Sequence, residues 1–186
     1  MSFVGGVGYS NIDLIYSGLD RLPDKGEEIF ARGFSMQFGG GIPATMINLS
    51  RLGVESRIIT FAGHDLFSEF VKKTLNSYPV KTVNLYKGNK MPVVLSSTLL
   101  YCGDRSFISY TDGMDLNDAV MDEVYENLKG AYVVDMHVGF LDVYKRLKKD
   151  GCIQIFDTGW EDDLTLEKYK DYLEIADYYI PNQKEA

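Results

Sequence analysis

Short apolar strands alternating with helix-period segments through the second half of the chain restrict its fold more than any other feature. Helices are predicted over 116–128, 140–149 and 166–176, and strands over 131–135, 152–157 and 177–180. A helix between two strands carries the chain back along the sheet, so such strands pair in parallel. The first half keeps part of this rhythm. It has strands over 2–7 and 57–62, a helix over 42–53 with Pro43 in its first turn and Gly53 at its stop, and a helical stripe over 66–75. Other pieces break the rhythm. Residues 12–16 and 28–38 are extended in character, and 93–101 with 106–110 flank Cys102-Gly103-Asp104-Arg105 as a hairpin with a four-residue loop. The early extended stretch and the hairpin are assigned to a small sheet of their own. The expected class is therefore α/β, with a central, mainly parallel sheet and a small β-sheet beside it.

The chain's 186 residues are enough for one generous domain, and 45% apolar with 25% charged residues is the composition of a chain that buries a core. Nineteen Lys and Arg against 27 Asp and Glu leave a net charge of −8. That surface repels polyphosphate backbones and anionic lipid, which argues against nucleic-acid and membrane partners but leaves room for a local pocket for a small anion. No apolar run approaches the ~20 residues of a membrane span, and residues 1–8 lack the basic and long apolar regions of a signal peptide. Cys102 and Cys152 have no second Cys or His at ligand spacing, so neither a disulfide framework nor a structural zinc site is expected. The expectation is a cytoplasmic protein.

Several motifs bear on chemistry. Gly6-Val7-Gly8 starts like a dinucleotide-binding fingerprint, but position 11 is Asn and residues 12–15 are strand-like, so the fingerprint fails. Asn11 and Asp13 project from one face of an extended segment. An amide beside a carboxylate suits a polyhydroxylated ligand, although the same spacing fits a solvated strand face. Gly39, Gly40 and Gly41 lead into a helix, where they would let backbone approach a ligand and leave N–H groups free. An ordinary strand-to-helix turn has the same composition, and the Lys-Ser/Thr ending of a Walker loop is missing. Pro181-Asn182-Gln183-Lys184-Glu185 reads as a helix start, with Asn182 as N-cap and Glu185 as the returning half of a capping box. The sequence stops at Ala186, inside that first turn, so the chain is expected to be truncated.

Together these motifs resemble, in order, those of the PfkB/ribokinase family of carbohydrate kinases. Asn11-Ile12-Asp13 is similar to the family's opening Asn-x-Asp. Gly39-Gly40-Gly41-Ile42-Pro43-Ala44 with Leu49-Ser50-Arg51-Leu52-Gly53 is similar to its Gly-Gly helix signature. Ala62-Gly63-His64-Asp65 is similar to Gly-x-Asp, Gly103-Asp104-Arg105 with Gly113 to the lid hairpin and its return, and Pro181 to Glu185 to Asn-x-x-Glu.

The resemblance implies a ribokinase-like three-layer sandwich with a lid formed by segments about 12–38 and 90–111. It implies that Asn11, Asp13, Gly39, Gly40 and Gly41 hold the hydroxyls of a sugar or nucleoside acceptor, with His137 as a further pocket residue past a strand's C-terminal end. ATP and Mg²⁺ are the implied cofactors. Asn182 and Glu185 would belong to the network around the metal and the nucleotide phosphates, with Glu185 acting on the metal indirectly. Family lids often pair between subunits, which implies a homodimer through the lid.

The chain also departs from the family pattern. Ala44 stands where Asn is common, Gly41 where ribokinases carry Lys, and Ser68 where Gly is frequent. The Gly-Ala-Gly-Asp motif, which in the family supplies the catalytic base and an anion hole, is absent from residues 1–186. The expected function is ATP-dependent phosphorylation of a sugar or related polyhydroxylated acceptor. This chain would be an incomplete ribokinase-like domain that carries the acceptor site and lid, lacks the nucleotide-binding part, and is inactive alone. The alternative is a non-catalytic sugar-binding or regulatory protein on a kinase scaffold.

Overall fold

A computed structural model describes residues 2–159, 161 and 164–183. Six strands form the central sheet: β1 (Phe3–Val7), β4 (Ser56–Thr60), β5 (Lys81–Asn84), β8 (Ala131–Met136), β9 (Ile153–Phe156) and β10 (Tyr178–Tyr179). Their order is β10-β9-β8-β1-β4-β5, and every pairing is parallel. The second sheet has the order β3-β2-β6-β7, from β2 (Asn11–Leu19), β3 (Gly33–Gly39), β6 (Val94–Tyr101) and β7 (Asp104–Tyr110). Here β2 pairs antiparallel with β3 and parallel with β6, and β6 and β7 form a hairpin. The α/β class with a small second sheet is the expected one.

Alternation along the strands sorts side chains into two cores. Ile58 packs with Ile42, Met46 and Ile47 of α1 (Gly41–Arg51) and with Val71 and Leu75 of α2 (Leu66–Asn76). Its neighbour Ile59 points the other way, into a cluster with α3 (Asp118–Leu128), α4 (Leu141–Lys149) and α5 (Leu166–Ile175). The result is three layers, with helices on both faces of a parallel sheet.

The small sheet alternates in the same way. Ile12 is fully buried, and Leu14, Phe38 and Leu95 pack beside it on the α1–α2 core. Farther out on that face, Phe34, Met36, Ile108 and Tyr110 are exposed. The opposite face carries Asn11, Asp13, Gln37, Ser96 and Ser109, which register places side by side.

Local expectations needed correction in four places. The strand expected over 28–38 starts at Gly33, where pairing with Ser17 ends; Phe30, one of the residues before it, is 84% exposed. The hairpin turns on two residues rather than four, because Asp104 pairs with Tyr101 and Arg105 with Leu100. Cys102 and Gly103 take φ of 50° and 79°, the left-handed pair such a tight turn requires. The short β5 has no counterpart in the sequence reading, and the last expected strand contracts to Tyr178 and Tyr179.

Candidate active site

The chain runs from β1 into the small sheet and returns through α1 to β4, on one side of β1, whereas β8, β9 and β10 lie on the other. The strand order thus reverses between β1 and β8, and open parallel sheets bind ligands beyond the strands' C-terminal ends at such a reversal. Gly8, Tyr9 and Ser10 make the exit from β1. Gly8 N–H donates to Ile59 O at 3.1 Å, and Val94 N–H donates to Ser10 O at 3.0 Å. The buried Ser10 and Thr60 hydroxyls share a hydrogen bond of 2.9 Å. These bonds fix how the small sheet leaves the core, and buried Ile12 sets which side chains of β2 face the cleft.

Asn11 and Asp13, predicted as acceptor-binding residues, stand on either side of Ile12, and the Asn11 amide donates to Asp13 Oδ1 at 2.9 Å. The Ser96 hydroxyl lies 3.3 Å from Asn11 Oδ1 and 2.8 Å from the Ser109 hydroxyl. Burial raises the Asp13 carboxyl above the usual aspartate range, against the pull of the Arg105 charge and the Asn11 bond. This is a half-buried, pre-oriented pair rather than a freely solvated strand face.

The three glycines have three different roles. Gly39 ends β3 opposite Asn11, and a Cβ there would come within 2.7 Å of Asp13 Oδ2, so its missing side chain makes room for the carboxylate. Gly40 is the N-cap of α1 at φ 102°, and a Cβ there would lie 2.9 Å from Tyr9 O. Gly41 opens the helix with nothing within 4 Å of an added Cβ, and no side chain caps this helix start. Thr45 donates back to Gly41 O at 3.1 Å, and Gly41 and Ala44 are both exposed.

His137 follows β8 on the other wall. Its Nδ1 lies 2.8 Å from Val138 O, and because a carbonyl only accepts, Nδ1 carries a proton, so in the neutral ring Nε2 presents a lone pair. The Tyr144 hydroxyl accepts from His137 N–H at 2.8 Å, and burial drives that phenol far above its ordinary range. The His137 ring lies edge-on to Tyr9 at 6.1 Å, and its Cδ2 would be 3.7 Å from a Cβ on Gly8. The structure thus brings Asn11, Asp13, Gly39, Gly40, Gly41 and His137 to one end of the sheet.

Asn182 follows β10 outside any regular element, and Glu185 lies outside the described residues. Among the described residues no three His, Cys, Asp or Glu side chains converge as a metal site. No helix of the described residues is long and apolar enough to cross a membrane.

The sequence reading missed Tyr9, Thr45 and Asp135. Asp135 pairs in register with Gly6 on β1, two residues before His137. Burial, with the nearby Asp157 carboxylate, lifts its carboxyl to about 6 against the pull of the nearby Thr45 hydroxyl. A charged residue inside Val133-Val134-Asp135-Met136 was the available signal.

Comparisons with known proteins agree with this architecture. The pfkB family carbohydrate kinases match residues 1–186, and the chain belongs to that family. The sugar kinase PH1459 of Pyrococcus horikoshii is 35% identical over 92 residues, covering 47% of this chain and 30% of that protein. Ribokinase from Thermotoga maritima superposes with a TM-score of 0.79 at 19% identity, over 100% of this chain and 61% of that one. Arabidopsis thaliana ribokinase, solved with ribose and ATP, gives 0.76 at 22% identity over 100% and 62%. The fold is therefore ribokinase-like, and the chain spans about three fifths of the length of these two ribokinases.

Proposed function

We propose that this chain forms the acceptor site and lid of an ATP-dependent kinase for a sugar or related polyhydroxylated compound. The observation that carries the reading is the convergence of the Asn11–Asp13 pair, the uncapped glycine turn into α1, and the His137 Nε2 lone pair at the strand-order reversal. An acceptor hydroxyl can donate to Asp13 or to Nε2, while the Asn11 amide and the N–H groups of Gly41 and Ile42 donate to acceptor oxygens. Holding the acceptor by several hydroxyls orients one of them for in-line attack on a γ-phosphoryl. The polar face of the small sheet would cover the acceptor and exclude the water that competes as nucleophile.

ATP with Mg²⁺ is the phosphoryl donor in this reading, and Asn182 and Glu185 are assigned to the network around them. Magnesium held between the nucleotide phosphates needs only one or two protein carboxylates. Residues 1–186 contain no Gly-Ala-Gly-Asp to supply a base, so we expect the chain alone to bind acceptor without transferring phosphate.

The exposed Phe34, Met36, Ile108 and Tyr110 share the outer, apolar face of the lid. A patch of this kind is a surface for a second copy, and we assign a homodimer to it. Light scattering should read a dimer that Ile108→Lys converts to monomer.

The test of the kinase reading is ADP release with Mg-ATP across a panel of sugars and nucleosides, for this chain and for the full-length product of its reading frame. Acceptor-dependent release by the full-length product, abolished by Asp13→Ala, supports the reading. If neither releases ADP while panel members still raise the melting temperature, the protein is a sugar-binding one without catalysis.

A further inference from the structure

The charges around this cleft do not balance. Asp13 faces the Arg105 guanidinium across the small sheet; that charge draws its carboxyl down, and the Arg105 Cζ rests 5.5 Å from the Phe107 ring. Among the described residues Asp135 has no such partner. The polar side chains acting on it are the Thr45 hydroxyl and the Asp157 carboxylate, and the second is another negative charge. The cation that the small sheet turns toward this cleft, Arg105, acts on Asp13, and among the described residues the elements beside Asp135 bring none. β1 and β8 contain no Lys or Arg, and the single one in α1, Arg51, is in the last turn, far from Gly41. Asp135 is half-buried, so little water screens its charge from a bound molecule. It stands opposite Gly6 of β1, where an added Cβ would meet Ile42 of α1, and two residues before His137.

We propose that Asp135 sets the charge preference of the acceptor cleft, so that it takes neutral polyols and rejects anionic ones such as sugar acids and sugar phosphates. This inference rests on the acceptor-site reading and narrows its substrate class. The mechanism is like-charge exclusion, in which an anionic acceptor would bring a further negative charge against a half-buried carboxylate on which no cation among the described residues acts.

Calorimetric titration of the full chain with paired probes tests it: ribose against ribonate, glucose against gluconate, and fructose against fructose 6-phosphate. The expected result is at least tenfold tighter binding of the neutral member that binds best than of its anionic partner. Asp135→Asn should shrink that ratio at least threefold. Equal or tighter binding of the anionic member overturns the inference, as does an unchanged ratio in a variant that melts like the parent. If Asp135→Asn does not fold, Asp157→Asn replaces it; removing the second negative charge should shrink the ratio less, about twofold, and no change again counts against the proposal. Failure of every probe to bind folded protein overturns the acceptor-site reading, and this inference falls with it.

Discussion

Two helix starts lie at the same end of the same α-layer and are built in opposite ways. At α2, Asp65 takes the N-cap position and accepts from the N–H groups of Phe67 and Ser68 at 2.9 Å each. The Ser68 hydroxyl returns to Asp65 Oδ2 at 2.6 Å and accepts from Gly63 N–H at 2.8 Å. At α1, Gly40 caps without a side chain, Pro43 removes one donor, and Gly41 faces open space. The first arrangement satisfies the helix-terminal donors internally, and the second leaves them for a ligand. The same contrast explains a departure in the sequence. Ser68, where the family often has Gly, completes the Asp65 cap, so Gly63-His64-Asp65 reads here as structural support.

The largest effect should come from the α1 side. Asp13→Ala removes the carboxylate that Gly39 leaves room for, and on the proposed kinase reading acceptor phosphorylation should fall about 100-fold or more, or ~2.7 kcal/mol of transition-state binding. Its melting temperature should barely move, and a large drop would mean that Asp13 serves the fold.

Next comes the α2 side. Asp65→Ala should cost about 1–2 kcal/mol in denaturant unfolding while leaving acceptor affinity within about twofold. Hydrogen bonds from Ser68 and Phe67 outweigh the burial that would raise the Asp65 carboxyl, so it titrates below its ordinary range. The stability it contributes is therefore complete above the unfolded aspartate value of about 3.9 and disappears as pH falls through the lower folded value. The difference between parent and variant should be full at pH 7 and shrink below about pH 4. A difference that grows in acid would show that the sign is wrong.

The smallest effect is the most discriminating. Gly41→Ala meets no atom within 4 Å and lies in a helix, so stability should hold or rise by about 0.5–1 kcal/mol. The added methyl at the cleft mouth should weaken acceptor binding about three- to tenfold. Weaker folding with unchanged binding would make the α1 start an ordinary turn.

Much of this contrast was legible in the sequence where it depends on near neighbours. Asn11 and Asp13 announce a shared strand face by their spacing, and three consecutive glycines before Ile42 mark a backbone with special freedom. The long alternation of the second half was equally clear, since each element there carries its own period. What could not be read depends on which distant strands meet. Asp135 becomes a site residue only because β8 pairs with β1 rather than β4, and Tyr9 only because β1 exits between Phe61 and His137. β5 is four residues with no fully buried side chain, too short for a period-2 signal. The hairpin turn was misjudged because Asp104 and Arg105 look like loop residues but pair in the ladder.

The central claim is that the α1 start receives the acceptor and the α2 start does not. The most direct measurement is backbone amide shift mapping of ¹⁵N-labelled protein during titration with the neutral sugar that calorimetry ranks first. The account predicts movement of the Gly40, Gly41 and Ile42 amides together with Asn11 and Asp13, while Phe67 and Ser68 stay in place. Movement centred on Phe67 and Ser68, or movement at Gly41 that persists unchanged in Asp13→Ala, would contradict it.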